Sequence, residues 1–144
     1  MTNSIGCCSG LRRGDVRLRC RGIRGAITVS TNEKESILAA AKELLVEMTQ
    51  ANRIGVEDIA AILFTTTPDL NVEFPAAATR ELGWPLNLAL LCGHEMNVAH
   101  DLPHCLRILM LINTEKGLDD IRHVYLGEAK RLKNETSLSI GGNT

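Results

Sequence analysis

The chain has 144 residues and a formal net charge of -1, with 16 Lys+Arg against 17 Asp+Glu, a balance that gives no overall electrostatic case for a nucleic acid or a membrane surface as partner. Hydrophobic residues make up 44% and charged residues 23%, proportions of one compact globular domain rather than a disordered chain. Aromatic residues are only 3%, namely Phe64, Phe74, Trp84 and Tyr125, so the core must be aliphatic and a stacking platform for bases is excluded.

The charge is unevenly spread. Residues 1–24 hold six Arg and one acid, Asp15, whereas the rest of the chain is net acidic. This basic start lacks the apolar stretch of a secretory signal, and it is too short and Gly-rich for a transit peptide. Residues 1–18 are expected to be a loose or mis-annotated extension, residues 19–133 the domain and residues 134–144 a flexible polar tail. No apolar run approaches the ~20 residues needed to span a bilayer. The five Cys (Cys7, Cys8, Cys20, Cys92, Cys105) are odd in number and follow no disulfide framework, which points to a reducing, cytoplasmic setting.

In chain order, Val16–Val29 alternates in polarity up to Gly22 and Gly25, which predicts a strand with a bulge or a close backbone approach. Ser30-Thr31-Asn32-Glu33 is a capping-box candidate. Ile37, Leu38, Ala41, Leu44, Leu45 and Met48 then recur at helical spacing, with Asn52 and Gly55 as the stop. Ile59–Thr66 reads as a buried strand ended by Thr67-Pro68-Asp69. Phe74-Pro75 opens a short helix that runs to Leu82 and stops at Gly83. Leu86–Leu91 reads as a short strand, Gly93–Pro103 as a loop, and Cys105–Thr114 as a strand by its Ile and Leu content. A helical turn is expected over Leu118–His123 and a final strand over Val124–Leu132. The result is an α+β domain with a five-stranded mixed sheet and helices on one face. Two helices cannot cover both faces, so the open aliphatic face predicts burial against sister subunits.

The residues able to carry chemistry are few. Arg107 lies in an apolar strand, where a permanent cation must either pair with an acid such as Glu95 or bind an anion; spacing leaves both open. Arg24 sits between glycines that permit close approach, and Tyr125 is the only Tyr. His94, His100, His104 and Cys105 crowd one stretch but match neither HExxH nor a zinc finger, so no metal is expected. There is no GxSxG, no Walker A and no helix-opening GxGxxG, so neither a nucleophile nor a nucleotide site is indicated. What is on offer is an anion pocket of Arg24 and Arg107 near the basic Lys130, Arg131 and Lys133, with Glu95 and Tyr125 as polar fixers of a small polycarboxylate.

Five collinear stretches carry a resemblance: 21–29 (RGIRGAITV), 66–76 (TTPDLNVEFPA), 92–96 (CGHEM), 105–107 (CLR) and 121–126 (IRHVYL). Together they resemble the monofunctional chorismate mutases of the AroH type, over about Arg19 to Lys133. The resemblance implies a homotrimeric pseudo-α/β barrel with sites between subunits, and the Claisen rearrangement of chorismate to prephenate with no cofactor. It gives Arg107 the ether oxygen and a carboxylate, Arg24 a carboxylate, Glu95 the ring hydroxyl and Tyr125 a carboxylate. Phe74 and Cys92 would line the pocket, with Phe74 and Arg80 from the neighbouring subunit, and Leu132 and Lys133 would lie at its C-terminal rim. Ala77 stands where the family often has Lys, and Lys133 where it has Arg; these departures bear on affinity more than on chemistry. A trimeric imine deaminase and a non-catalytic acid-binding trimer are the alternatives. The 92–96 and 121–126 stretches fit the mutase better than the first, and the set Arg24, Glu95, Arg107 and Tyr125 argues against the second.

Overall fold

A computed structural model describes residues 17–99 and 101–133, so the expectations for the N-terminal extension up to residue 16 and for the 134–144 tail lie outside the described residues. The elements are β1 (Arg19–Thr28), α1 (Lys34–Asn52), β2 (Ile59–Thr66), α2 (Ala78–Glu81, preceded by a 3-10 turn at Pro75–Ala77), β3 (Leu90–His94), β4 (Cys105–Thr114) and β5 (Val124–Leu126). They form one mixed sheet in the order β3-β2-β4-β1-β5. Strand β4 is central and antiparallel to both β1 and β2, whereas β3 and β5 join the edges in parallel.

Helix α1 covers one face. Its apolar stripe (Ile37, Leu38, Ala41, Leu44, Leu45, Met48) is buried against Ile23, Ile27, Ile62, Phe64, Leu106, Ile108, Met110 and Ile112 of the sheet. Gly25 lets the helix approach: a Cβ there would lie 2.4 Å from Met48 Sδ. The β1–β4 register runs unbroken through Gly22 and Gly25, so the close approach is present and the bulge is not; the irregularity falls instead between Ile59 and Ala61 of β2. Buried Asn52 ties the end of α1 to the segment leading into β5, accepting from Arg122 N (2.8 Å) and donating to Arg122 O (2.9 Å).

Helix α1 at both ends, strand β3 and the end of β5 differ from expectation. The capping box does not form, because Glu33 is the N-cap and Thr31 bonds the Ser36 hydroxyl (2.8 Å) instead; at the other end Arg53, at φ 52°, supplies the left-handed cap rather than Gly55. The expected strand over Leu86–Leu91 begins only at Leu90 and continues to His94. Leu86 is 86% exposed in a turn after Pro85, and β2 pairs Ile62 with Leu90 through Thr66 with His94. The expected strand over Val124–Leu132 ends at Leu126, where Gly127 turns the chain at φ 58° and Glu128 N donates to Thr28 Oγ1 (3.1 Å); a 3-10 turn and a helical stretch follow.

Candidate active site

The open face of the sheet carries a single row of facing residues across all five strands: Gly93, Thr65, Arg107, Ala26 and Tyr125. Residues paired across strands project to the same side, so this row sets what surrounds Arg107. Its neighbours, Thr65 and Ala26, are small and leave space for the guanidinium. Arg24 lies two residues along β1 from Ala26 and Glu95 two residues beyond Gly93, which returns both to the same face.

Arg107 lies with two acids. Its Nη2 donates to Asp101 Oδ1 at 3.0 Å, while Nε is 3.9 Å from Glu95 Oε1, too far for a hydrogen bond. Nε is buried and has no hydrogen-bond partner. Burial pulls the guanidinium pKa down, but the neighbouring Cys105 sulfur and the carboxylates of Glu95 and Asp101 hold it above its ordinary value. The ion-pair reading of Arg107 is therefore met, with Asp101 beside the expected Glu95, yet its donors are not exhausted. Asp101 was missed in the sequence because it sits in a segment with no periodicity, six residues before Arg107.

Glu95 is fixed by the end of β3. Its amide donates to Thr66 O (2.8 Å), and its carboxylate accepts a short hydrogen bond from Thr65. Arg24 is exposed, and its backbone N–H donates to His123 Nδ1 at 2.9 Å. Burial and the Arg24 charge both hold His123 below its ordinary pKa. Tyr125 and Leu132 pack with Leu102 against the buried Ala26, Cys105 and Ala129, beside Arg107. Lys133 follows in the C-terminal helical stretch.

Phe74, Cys92 and Arg80 are elsewhere. Cys92 pairs with Phe64, so it projects to the helix side of the sheet. It lines a cavity of about 320 Å³ with Thr66, Leu70, Phe74 and His94, and an adjoining groove of about 450 Å³ with Ala77, Arg80 and Leu91. Burial raises the Cys92 thiol pKa against a hydrogen bond from the Ala76 backbone, keeping it a neutral wall group. Phe74 is 71% exposed. Neither space includes Arg107, Glu95 or Tyr125. Eight of the nine sequence-predicted residues thus fall into two groups, with Arg24, Glu95, Arg107, Tyr125 and Leu132 toward the open face and Phe74, Arg80 and Cys92 at the β3 edge; the ninth, Lys133, follows Leu132.

Among the described residues no group of three or more His, Cys, Asp or Glu is placed to hold a metal ion. His94 bonds Thr66 (3.1 Å), and His104 lies 3.7 Å from Asp69. Asp69 also accepts from the His104 amide (2.9 Å), which holds that residue at φ 49°, at the entry to β4. No helix among the described residues is long and apolar enough to cross a membrane.

Residues 20–136 match the family model for chorismate mutase type I. The chain belongs to this family. Two similar relatives are named chorismate mutase AroH. One, from Thermus thermophilus, is 47% identical over 114 residues, 78% of this chain and 93% of the relative. The other, from Bacillus subtilis, is 42% identical over 120 residues, 83% and 94% of the two chains. A solved chorismate mutase from Clostridium thermocellum superposes with a TM-score of 0.75 at 45% identity, over 77% of this chain and 98% of that one. Family membership bears out the resemblance carried by the five stretches, and the family match reaches three residues beyond the expected domain end at 133.

Proposed function

We propose that this chorismate mutase completes its active site between subunits of a homotrimer, the open face of one copy closing on the Phe74–Cys92–Arg80 edge of the next. The observation that carries this is the division of the site: one chain presents the cations and polar fixers on one face and the pocket wall on another. Exposed Leu91 and Leu109 and the partly buried Leu63 and Leu111 on the open face support a subunit interface there. The catalytic domain is taken as residues 19–133.

The reaction converts chorismate to prephenate by an intramolecular Claisen rearrangement, in which the ether C–O bond breaks as a C–C bond forms. No nucleophile or proton transfer is required. The chain's residues have two tasks: to hold a flexible dianion compact, and to meet the charge that separates as the ether bond lengthens. Arg107, rigid in the centre of the sheet, donates to the ether oxygen and a carboxylate. Arg24 and Tyr125 take carboxylate oxygens. Glu95, held by Thr65, accepts from the ring hydroxyl and faces the developing positive charge. Phe74 and Cys92 of the adjacent copy form the apolar wall and its Arg80 a further cation, while Leu132 and Lys133 border the rim. The product feeds phenylalanine and tyrosine synthesis, and the free thiols of Cys20, Cys92 and Cys105 suit the cytoplasm. Purified protein in the presence of a chelator is expected to consume chorismate and yield prephenate. Absence of conversion by folded protein would refute the assignment.

A further inference from the structure

We infer that Asp101 is an internal competitor for Arg107, a carboxylate that occupies the guanidinium until a substrate carboxylate displaces it. The inference rests on the proposed role of Arg107.

The two acids beside Arg107 are held differently. Glu95 is locked by its backbone bond to Thr66 and by the Thr65 hydroxyl, and it makes no hydrogen bond to the guanidinium. Asp101 lies in the irregular segment between β3 and β4, and it takes the Nη2 hydrogen bond at 3.0 Å. Its Oδ1 is shared with the Leu102 N–H at 2.9 Å. It therefore engages Arg107 at one point and leaves the buried Nε without a partner. A guanidinium presents a planar fork that favours two-point acceptors. A substrate that places oxygen atoms on both Nε and Nη2 satisfies what Asp101 does not, so the exchange favours the substrate.

Charge gives the same direction. On the open face the charges of Arg24 and Arg107 are offset by those of Glu95 and Asp101, so these four groups together give a dianion no net attraction. Removing the Asp101 charge leaves these groups net positive and frees Nη2 while leaving the Arg107 cation itself in place. The effect therefore falls on binding more than on the chemical step.

The test is steady-state kinetics on chorismate with Asp101→Asn and Asp101→Ala. In Asp101→Asn the retained amide oxygen still accepts the Leu102 N–H, so the local turn is preserved. The side chains of Arg107 and Asp101 are 32% and 25% exposed, a partly screened pair. KM is expected to fall about three- to tenfold, with kcat moving less and kcat/KM rising. Asp101→Glu, which restores the charge, is expected to bring KM back toward the wild-type value. An unchanged or raised KM in both neutral variants overturns the inference. So does a kcat loss larger than the KM change, which would make Asp101 a positioning group. If the wild type turns over chorismate, Arg107→Ala abolishes turnover and the Asp101 variants still show no fall in KM, the inference alone fails. If Arg107→Ala is active, the underlying reading fails with it.

Discussion

Truncating Arg107 removes the cation around which the open-face half-site is built. Its side chain is about one-third exposed, so an effective dielectric near 20 applies, and a unit charge ~4 Å from the developing oxyanion contributes about 4 kcal/mol. Each ~1.4 kcal/mol is a factor of ten, so kcat in Arg107→Ala should fall by about 10³. That agrees with the ~10²–10³ lost when one preorganised donor to a developing oxyanion is removed. The loss in kcat/KM should be larger still, because Glu95 and Asp101 then face a dianion without the cation that offset them. Arg107→Lys keeps the charge but not the fork, and should still lose about 10² in kcat. The assay is the decay of chorismate absorbance, with circular dichroism and gel filtration confirming fold and assembly. A folded, assembled Arg107→Ala protein within tenfold of the wild-type kcat would refute the electrostatic argument.

Two further outcomes test the scaffold. Gly25→Ala places a methyl 2.4 Å from Met48 Sδ and 3.1 Å from Leu44 Cδ1, so the α1–β1 contact must open; a stability loss of about 1–3 kcal/mol is expected in denaturant unfolding, and an unchanged midpoint would show that Met48 simply moves aside. His123 is held below its ordinary pKa by burial and by Arg24, and its neutral Nδ1 accepts from the Arg24 N–H. The unfolded chain therefore binds this proton more readily than the folded one, and stability should fall as pH drops through the ordinary histidine range near 6.5. His123→Gln removes this contribution, so thermal melts from pH 7.5 to 5.5 should show a shallower acid loss than in the wild type; equal slopes would exclude His123 as the cause.

Much of this arrangement was legible in the residues because it follows from periodicity. The α1 stripe and the apolar runs of β2 and β4 are core faces, and Arg107 stood out as a charge in the middle of one of them. The edges were less legible. Strand β3 is set by its pairing to β2 rather than by its own hydrophobicity, which is why polar His94 belongs to it and apolar Leu86 does not. Gly127 ends β5, since its φ of 58° and its closeness to Thr28 exclude other residues, but the expected strand ran past it to Leu132 although residues 128–131 include three charges. Asp101 has no pattern at all, and only three-dimensional placement brings it to Arg107. The two half-sites were also invisible to residue type: Cys92 and Glu95 are three residues apart, yet pleating and the turn out of β3 send them to opposite sides of the sheet.

The division of the site is tested most directly by mixing two variants, Arg107→Ala and Arg80→Ala, each expected to lose activity alone, under conditions that dissociate and reassemble the subunits. If each site takes Arg107 from one copy and Arg80 from the next, random reassembly restores both groups in about one-quarter of sites, and chorismate turnover should recover to roughly that share of wild type. Mixed assemblies that form but remain as inactive as either parent would contradict a site shared between subunits.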